Sequence, residues 1–279
     1  MKISVIIPTY NEVNVIQSCI ESLGEQTYED FEIITIDDGS TDKTPKILGG
    51  ASKILPNFYF LEQNHKGAGA ARNLGAKKAK GEILVFVDAD MTFDENFLDK
   101  LSEPIRRGSS KGTFSKEEFV ANWGSPWARL WNINEGWQEK RRHPKDFPDH
   151  QPVFRAILKS EFERVGGFTP GGYDDDWSLS RKLGYEAINA PGAIFYHKNP
   201  ESLGEIFRHA RWVGKRKYKL GYLGYVVALL RSSFPISIII GIYKGLKNKD
   251  LRFVIFKAVY DFGIFIGVID YVLNGKGAK

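Results

Sequence analysis

The chain has 279 residues, with 39 Lys and Arg against 34 Asp and Glu and a net charge of +5. That length allows one large domain or a domain with an appendage. A content of 42% hydrophobic and 13% aromatic residues excludes a disordered or fibrous chain, and the single cysteine, Cys19, excludes a disulfide framework and any multi-cysteine zinc site.

From the N-terminus, Ile3–Ile7 is an apolar run ended by Pro8. It is too short for a signal peptide and reads as a first strand, which places the start of the chain in the cytosol. Val15, Ile16, Cys19, Ile20 and Leu23 then recur at helical spacing, with Asn11 or Asn14 as the expected cap. Phe31–Ile36 is a second strand, followed by Asp37-Asp38-Gly39-Ser40-Thr41-Asp42. Thr44–Leu48 reads as helix, Phe58–Leu61 as a third strand, Gly67 to Lys80 as an Ala-rich helix, and Ile83–Val87 as a fourth, wholly apolar strand. This alternation predicts an α/β fold in which helices cover both faces of a parallel sheet. Ligands of such sheets bind at the carboxyl ends of the strands, where the polar clusters fall.

Those clusters are Pro8-Thr9-Tyr10-Asn11-Glu12, Asp37-Asp38-Gly39-Ser40 and Asp88-Ala89-Asp90. Two carboxylates flanking one residue at the rim of a buried strand suit a hard cation that keeps open positions for phosphate oxygens. With Gly67 and Ala71-Arg72-Asn73, the set resembles the family 2 glycosyltransferases of GT-A fold, strongly over about residues 1–105 and loosely over about 150–215. The resemblance implies a mixed, mostly parallel sheet, a nucleoside-diphosphate sugar as donor, and inverting transfer to an acceptor hydroxyl.

Carried over by position, the resemblance puts Pro8, Thr9, Tyr10 and Glu12 in the nucleotide site, with Pro8 and Thr9 lining the base and ribose. Asp38 would accept the imide N–H of a base such as uracil, Arg72 or Lys66 would lie near the base and diphosphate, and Asp88 would face the ribose. Asp90 would hold Mg²⁺ or Mn²⁺ on the diphosphate, and His197, in Tyr196-His197-Lys198-Asn199-Pro200, could reach the metal or the diphosphate. A divalent cation there would stabilise the two charges left when the sugar–diphosphate bond breaks.

Residues 171–181 read Gly-Gly-Tyr-Asp-Asp-Asp-Trp-Ser-Leu-Ser-Arg, where the family has Glu-Asp before a helix. Aligning on Leu179 and Arg181 makes Asp176 the general base, with Asp175 the alternative one residue away. Adjacent carboxylates raise one another's pKa, which suits a base near neutrality. Arg208 stands where processive polysaccharide synthases have Gln before Arg-Trp. That departure argues against a processive polymerase.

Trp123, Trp127 and Trp131 are spaced by four and would share a helical face, as a stacking wall or as core. The charge of the chain is also uneven. Residues 203–279 hold 14 Lys and Arg against 4 Asp and Glu, whereas residues 1–202 hold 25 against 30. A basic, apolar tail points to an anionic surface, and its long Ile, Val, Phe and Leu runs favour lipid over nucleic acid.

Tyr222–Tyr243 and Phe253–Leu273 each reach the ~20 residues that cross a bilayer. Arg231 interrupts the first; Lys257, Asp261 and Asp270 interrupt the second. Two spans would put one basic cluster outside, against the positive-inside rule. The expectation is therefore a catalytic domain over 1–220, its nucleotide-sugar half about 1–105 and its acceptor half about 106–220. A monotopic tail over 221–279 would hold it on the cytoplasmic face of the membrane, beside a membrane- or lipid-linked glycan acceptor. Homo-oligomerisation through the tail and a polyprenyl-phosphate acceptor are the alternatives within this class. Outside it, Asp88-Ala89-Asp90-Met91-Thr92 also fits a haloacid-dehalogenase-like phosphatase with Asp88 as nucleophile, although three strand–helix units precede the motif here.

Overall fold

The computed structural model describes residues 1–170 and 175–275, those at 175 and 176 without their side chains. In chain order the strands are β1 (Ile3–Thr9), β2 (Phe31–Asp37), β3 (Phe58–Glu62), β4 (Ile83–Phe86), β5 (Met91–Phe93), β6 (Gly112–Phe114), β7 (Glu118–Val120), β8 (His150–Gln151), β9 (Ala156–Leu158), β10 (Ala187–Asn189) and β11 (Phe195–His197). The helices are α1 (Ile16–Gly24), α2 (Thr44–Ile54), α3 (Ala68–Lys78), α4 (Phe97–Arg106), α5 (Pro126–Glu135), α6 (Lys159–Arg164), α7 (Asp175–Leu183), α8 (Leu203–Gly214), α9 (Gly221–Arg231), α10 (Phe234–Lys247) and α11 (Arg252–Asn274).

The main sheet has the order β3-β2-β1-β4-β9-β6-β10-β8. β1 runs parallel to β2 and β4, and β2 parallel to β3. β9 runs antiparallel between β4 and β6, so the sheet is mixed from that point on. A second sheet has the order β5-β11-β7.

The period of two along a strand sorts the core into two layers. Ile3, Val5 and Ile7 of β1, with Val85 of β4, face Cys19 and Leu23 of α1 and Phe97 and Leu101 of α4. Ile6, Ile34, Leu84 and Phe86 lie in the other layer, with Ala71 and Ala76 of α3 and Leu179 of α7. The expected helix cap is not formed. Val15 occupies the N-cap of α1 without a side-chain bond, and Asn11 instead takes a left-handed conformation (φ 58°). Its Oδ1 accepts from the Thr41 amide at 2.8 Å, tying the two strand-end loops together.

The chain divides into two compact units, Met1–Phe119 with His143–His197, and Val120–Arg142 with Lys198–Lys279. The core of the second contains Leu130, Trp131, Ile206, Phe253 and Phe256, with Trp127 packed against it. Trp131 is thus core, while Trp123 precedes α5. In this unit α8 meets α11 backbone to backbone: a Cβ on Gly267 would stand 2.2 Å from the Arg211 carbonyl, and one on Gly263 would stand 2.7 Å from that of Phe207. Small residues four apart permit such an approach.

The charges that interrupt α11 are paired. Lys257 Nζ lies 2.6 Å from Asp261 Oδ1, and Ser237 of α10 donates to Asp261 Oδ2 at 2.7 Å. Arg211 donates to Asp270 at 2.7 Å.

Glycines give a test of the packing. A Cβ on Gly81 would stand 2.6 Å from the Ser4 amide nitrogen of β1, so Gly81→Ala should destabilise by about 1–3 kcal/mol, as overpacking does. Gly50, inside α2 with nothing within 4 Å of the added carbon, should gain about 0.5–1 kcal/mol as Ala. Urea titration of both variants checks the pair of opposite signs.

Candidate active site

The carboxyl ends of β1 and β2 are joined by several hydrogen bonds. Thr9 is buried and its Oγ1 donates to the Ile36 carbonyl at 3.1 Å. The Asn11 amide donates to Ser40 Oγ and the Glu12 amide to Thr44 Oγ1, both at 2.8 Å. Tyr10 is exposed and stacks on His65, with ring centroids 4.3 Å apart. Pro8 is half-buried, and Lys66 is exposed.

Asp38 is buried, and the loop after β3 encircles its carboxylate. It accepts from Gln63 Nε2 at 2.7 Å and from the Lys66 and Gly67 amides at 2.8 Å, with His65 Nδ1 at 2.9 Å. A carboxylate offers about four acceptor sites. A base N–H would therefore have to displace one of these donors, most readily the exposed His65. A cleft of 460 Å³ opens beside this group, lined by Asp37, Gly39, Ser40, Pro45, Glu62, Gln63 and Asn64. None of the predicted site residues lines it.

The two acids after β4 have different surroundings. Asp88 accepts from Arg72 Nη2 at 2.7 Å and Arg155 Nη1 at 3.2 Å. Burial raises its pKa, but Arg155 and Arg72 outweigh that and hold the carboxyl at about 2. Arg72 is itself buried on α3, so it faces Asp88 rather than open space. A carboxylate neutralised by two guanidinium groups is a weak nucleophile, which counts against the phosphatase alternative.

Asp90 precedes β5, and the antiparallel pairing of β5 with β11 sets Met91 opposite His197. His197 Nε2 thereby lies 2.8 Å from Asp90 Oδ2, and its Nδ1 lies 3.0 Å from Glu118 Oε1 on β7. Glu118 and Arg155 were not singled out as site residues in the sequence. Each sits in or beside a three-residue strand, too short to show a pattern.

Two acidic groups near this edge, a carboxyl and a thiol, are pushed toward their neutral forms. Burial, then the negative charges of Asp90, Asp88 and Asp42, push Glu12 up to about 7. Cys19 is fully buried, its Sγ 3.9 Å from the Asp88 carbonyl, and burial pushes its thiol far up.

Among the described residues no three His, Cys, Asp or Glu groups are arranged to hold a metal ion. The donors present fit a cation held largely by substrate. Mg²⁺ commonly uses one or two carboxylates plus phosphate oxygens, and a ligating His is commonly steadied by a carboxylate on its far nitrogen, as Glu118 stands to His197. Asp175 is the first residue of α7. The side chains of Asp175 and Asp176, expected as general base, lie outside the described residues.

A mixed, mostly parallel sheet with acidic turns at its carboxyl edge is the GT-A glycosyltransferase fold. Two solved structures share it: S. aureus TarS 1–349 in complex with UDP-GlcNAc has a TM-score of 0.56 at 18% identity, covering 99% of this chain and 93% of that one. Mannosyltransferase PcManGT from Pyrobaculum calidifontis, in complex with GDP-Man and Mn²⁺, has a TM-score of 0.59 at 20% identity, covering 99% and 88%.

The chain belongs to glycosyl transferase family 2, whose sequence profile matches residues 4–166. It is 47% identical over 94 residues to the poly(ribitol-phosphate) beta-glucosyltransferase of Bacillus spizizenii, over 32% of this chain. That match covers 15% of the relative, and the chain spans only a minor part of the curated relatives it matches.

Asp88 and Glu12 carry pH dependences of opposite sign. Asp88, held below the ordinary carboxyl value of 3.8, contributes stability that is present above that value and lost as pH falls through about 2. Glu12, raised from 4.5 to about 7, costs stability that grows as pH rises through that window. With a chelator present, Glu12→Gln should match the parent near pH 4 and exceed it in stability near pH 8. Chemical denaturation at both pH values checks this; an equal difference at each would leave Glu12 out of the titration.

Proposed function

We propose that this chain transfers a sugar, with inversion, from a nucleoside-diphosphate sugar to an acceptor hydroxyl on a glycan or lipid-linked glycan, with UDP-sugars favoured as donors. The observation that carries the reading is the Asp90–His197–Glu118 row at the carboxyl edge of the sheet, beside the loops of Thr9 and Asp38. Family membership and the nucleotide sugars named with the two fold neighbours support it.

In this reading Pro8, Thr9 and Tyr10 contact the nucleoside and Asp38 takes the base N–H in exchange for His65. Asp88, kept anionic by Arg72 and Arg155, accepts from the ribose. Asp90 and His197 would hold Mg²⁺ or Mn²⁺, which would supply charge neutralisation for the leaving diphosphate. Glu118, accepting from His197 Nδ1–H, keeps the Nε2 lone pair directed at that position.

Asp176 removes the acceptor's hydroxyl proton as the acceptor oxygen bonds to the anomeric carbon. The bond from that carbon to the diphosphate oxygen breaks on the opposite face, and the electron pair leaves with the nucleoside diphosphate.

Calorimetric titration of UDP, GDP and dTDP, each with and without Mn²⁺, tests the donor site. Metal-dependent binding of one nucleotide is expected, and Asp90→Ala should weaken it by at least the roughly tenfold that follows loss of a group merely steadying a ligand. Binding of none of the three would overturn the reading. Asp176→Asn should abolish transfer while leaving nucleotide binding intact; activity retained there but lost in Asp175→Asn would move the base by one residue.

A further inference from the structure

The second unit sorts its residues inside out in one place. On α9 the exposed side chains are Tyr222, Leu223, Val226, Val227 and Leu230, which recur at intervals of four and form one apolar face. On α10, Ile236, Ile239, Ile242, Tyr243 and Leu246 do the same. The buried positions of these helices are the small ones: Gly224 on α9, and Ser237, Gly241 and Gly245 on α10. A soluble helix shows the reverse, with its large apolar side chains turned inward. Contiguous exposure of this kind marks an interaction surface.

The charges nearest this face identify its partner. From residue 216 to 252 the chain carries Arg216, Lys217, Lys219, Arg231, Lys244, Lys247, Lys249 and Arg252 against one carboxylate, Asp250. That carboxylate is taken by Arg252 at 2.7 Å. A second copy of the chain would set cation against cation around the apolar face. A bilayer with anionic headgroups instead offers acyl chains to the face and negative charge to its surroundings.

Length and the bend between them bear on whether α9 and α10 lie on the membrane or cross it. α9 and α10 have 11 and 14 residues, or ~16 and ~21 Å of helix, against ~30 Å of hydrocarbon. They meet at a 60° bend; among the described residues no single helix is long and apolar enough to cross, and only these two together, bent as they are, reach the length and composition of a span. α11 turns its charges onto partners within the unit.

We propose that the outer faces of α9 and α10 form a lipid-docking surface that lies in the headgroup–acyl boundary of an anionic leaflet, the cytoplasmic one in a cell. The surface stands apart from the transfer chemistry, and its test does not depend on nucleotide binding.

The full chain is floated with vesicles of phosphatidylcholine alone or mixed with phosphatidylglycerol. It should rise with the mixed vesicles, far less with the neutral ones, and lose binding in high salt. Leu223→Ser, Leu230→Ser and Ile239→Ser combined should lower partition by tenfold or more, on the order of the apolar burial removed. All three side chains are exposed, so the thermal melt should stay in place. Lys217→Glu with Lys219→Glu should weaken binding about fivefold for each charge removed, on anionic vesicles only. Failure to float with either vesicle overturns the proposal, as does full binding by the serine variant. If the chain stays with the soluble fraction and forms a dimer that the serine substitutions dissolve, the face belongs to a second copy.

Discussion

A carboxylate between two guanidinium groups holds the working edge of the first unit together. Asp88 ends the central apolar strand, Arg72 comes from the helix over β1 and β2, and Arg155 comes from the turn into the first antiparallel strand. One acid thus fastens the parallel part of the sheet, a covering helix and the mixed part at a single point. Removing either arginine would leave part of this half-buried charge without compensation.

The neighbouring acid, Asp90, has a histidine rather than arginines as its partner. His197 stands between Asp90 and Glu118, so the row alternates carboxylate, imidazole, carboxylate. An arrangement with arginine in the middle would be permanently closed. In the proposed reading, histidine at that position can either donate to Asp90 or ligate a cation as a neutral imidazole. The two acids of Asp88-Ala89-Asp90 thus keep different company, Asp88 with two arginines and Asp90 with a histidine, although a single alanine separates them.

The parallel half of the fold was legible because its strands are mostly apolar runs of four to six residues with polar residues behind them, as at Ile83–Val87 before Asp88. Pairing in the smaller sheet was not, since β5, β7 and β11 are three residues each and show no period. Glu118 and Arg155 acquire meaning only through that pairing and through the antiparallel β9. Asn11 misled in another way: its side chain suits a cap, but the loop from β2 lies within reach and takes the bond. The same contrast runs through the whole chain. Likeness of sequence to a curated relative extends over about a third of it, and likeness of fold over 99%.

The lone cysteine has a practical consequence. Cys19 is sealed between a helix and the sheet, and its thiol is held far from ionisation. Thiol reagents need both access and the thiolate, so Cys19 in the folded chain should resist maleimides and methanethiosulfonate spin labels. A single cysteine introduced on the surface would carry a fluorophore or spin label unambiguously, with the native residue left in place. The chain is in this sense already prepared for distance measurements by spectroscopy, at whichever helix an investigator chooses to mark.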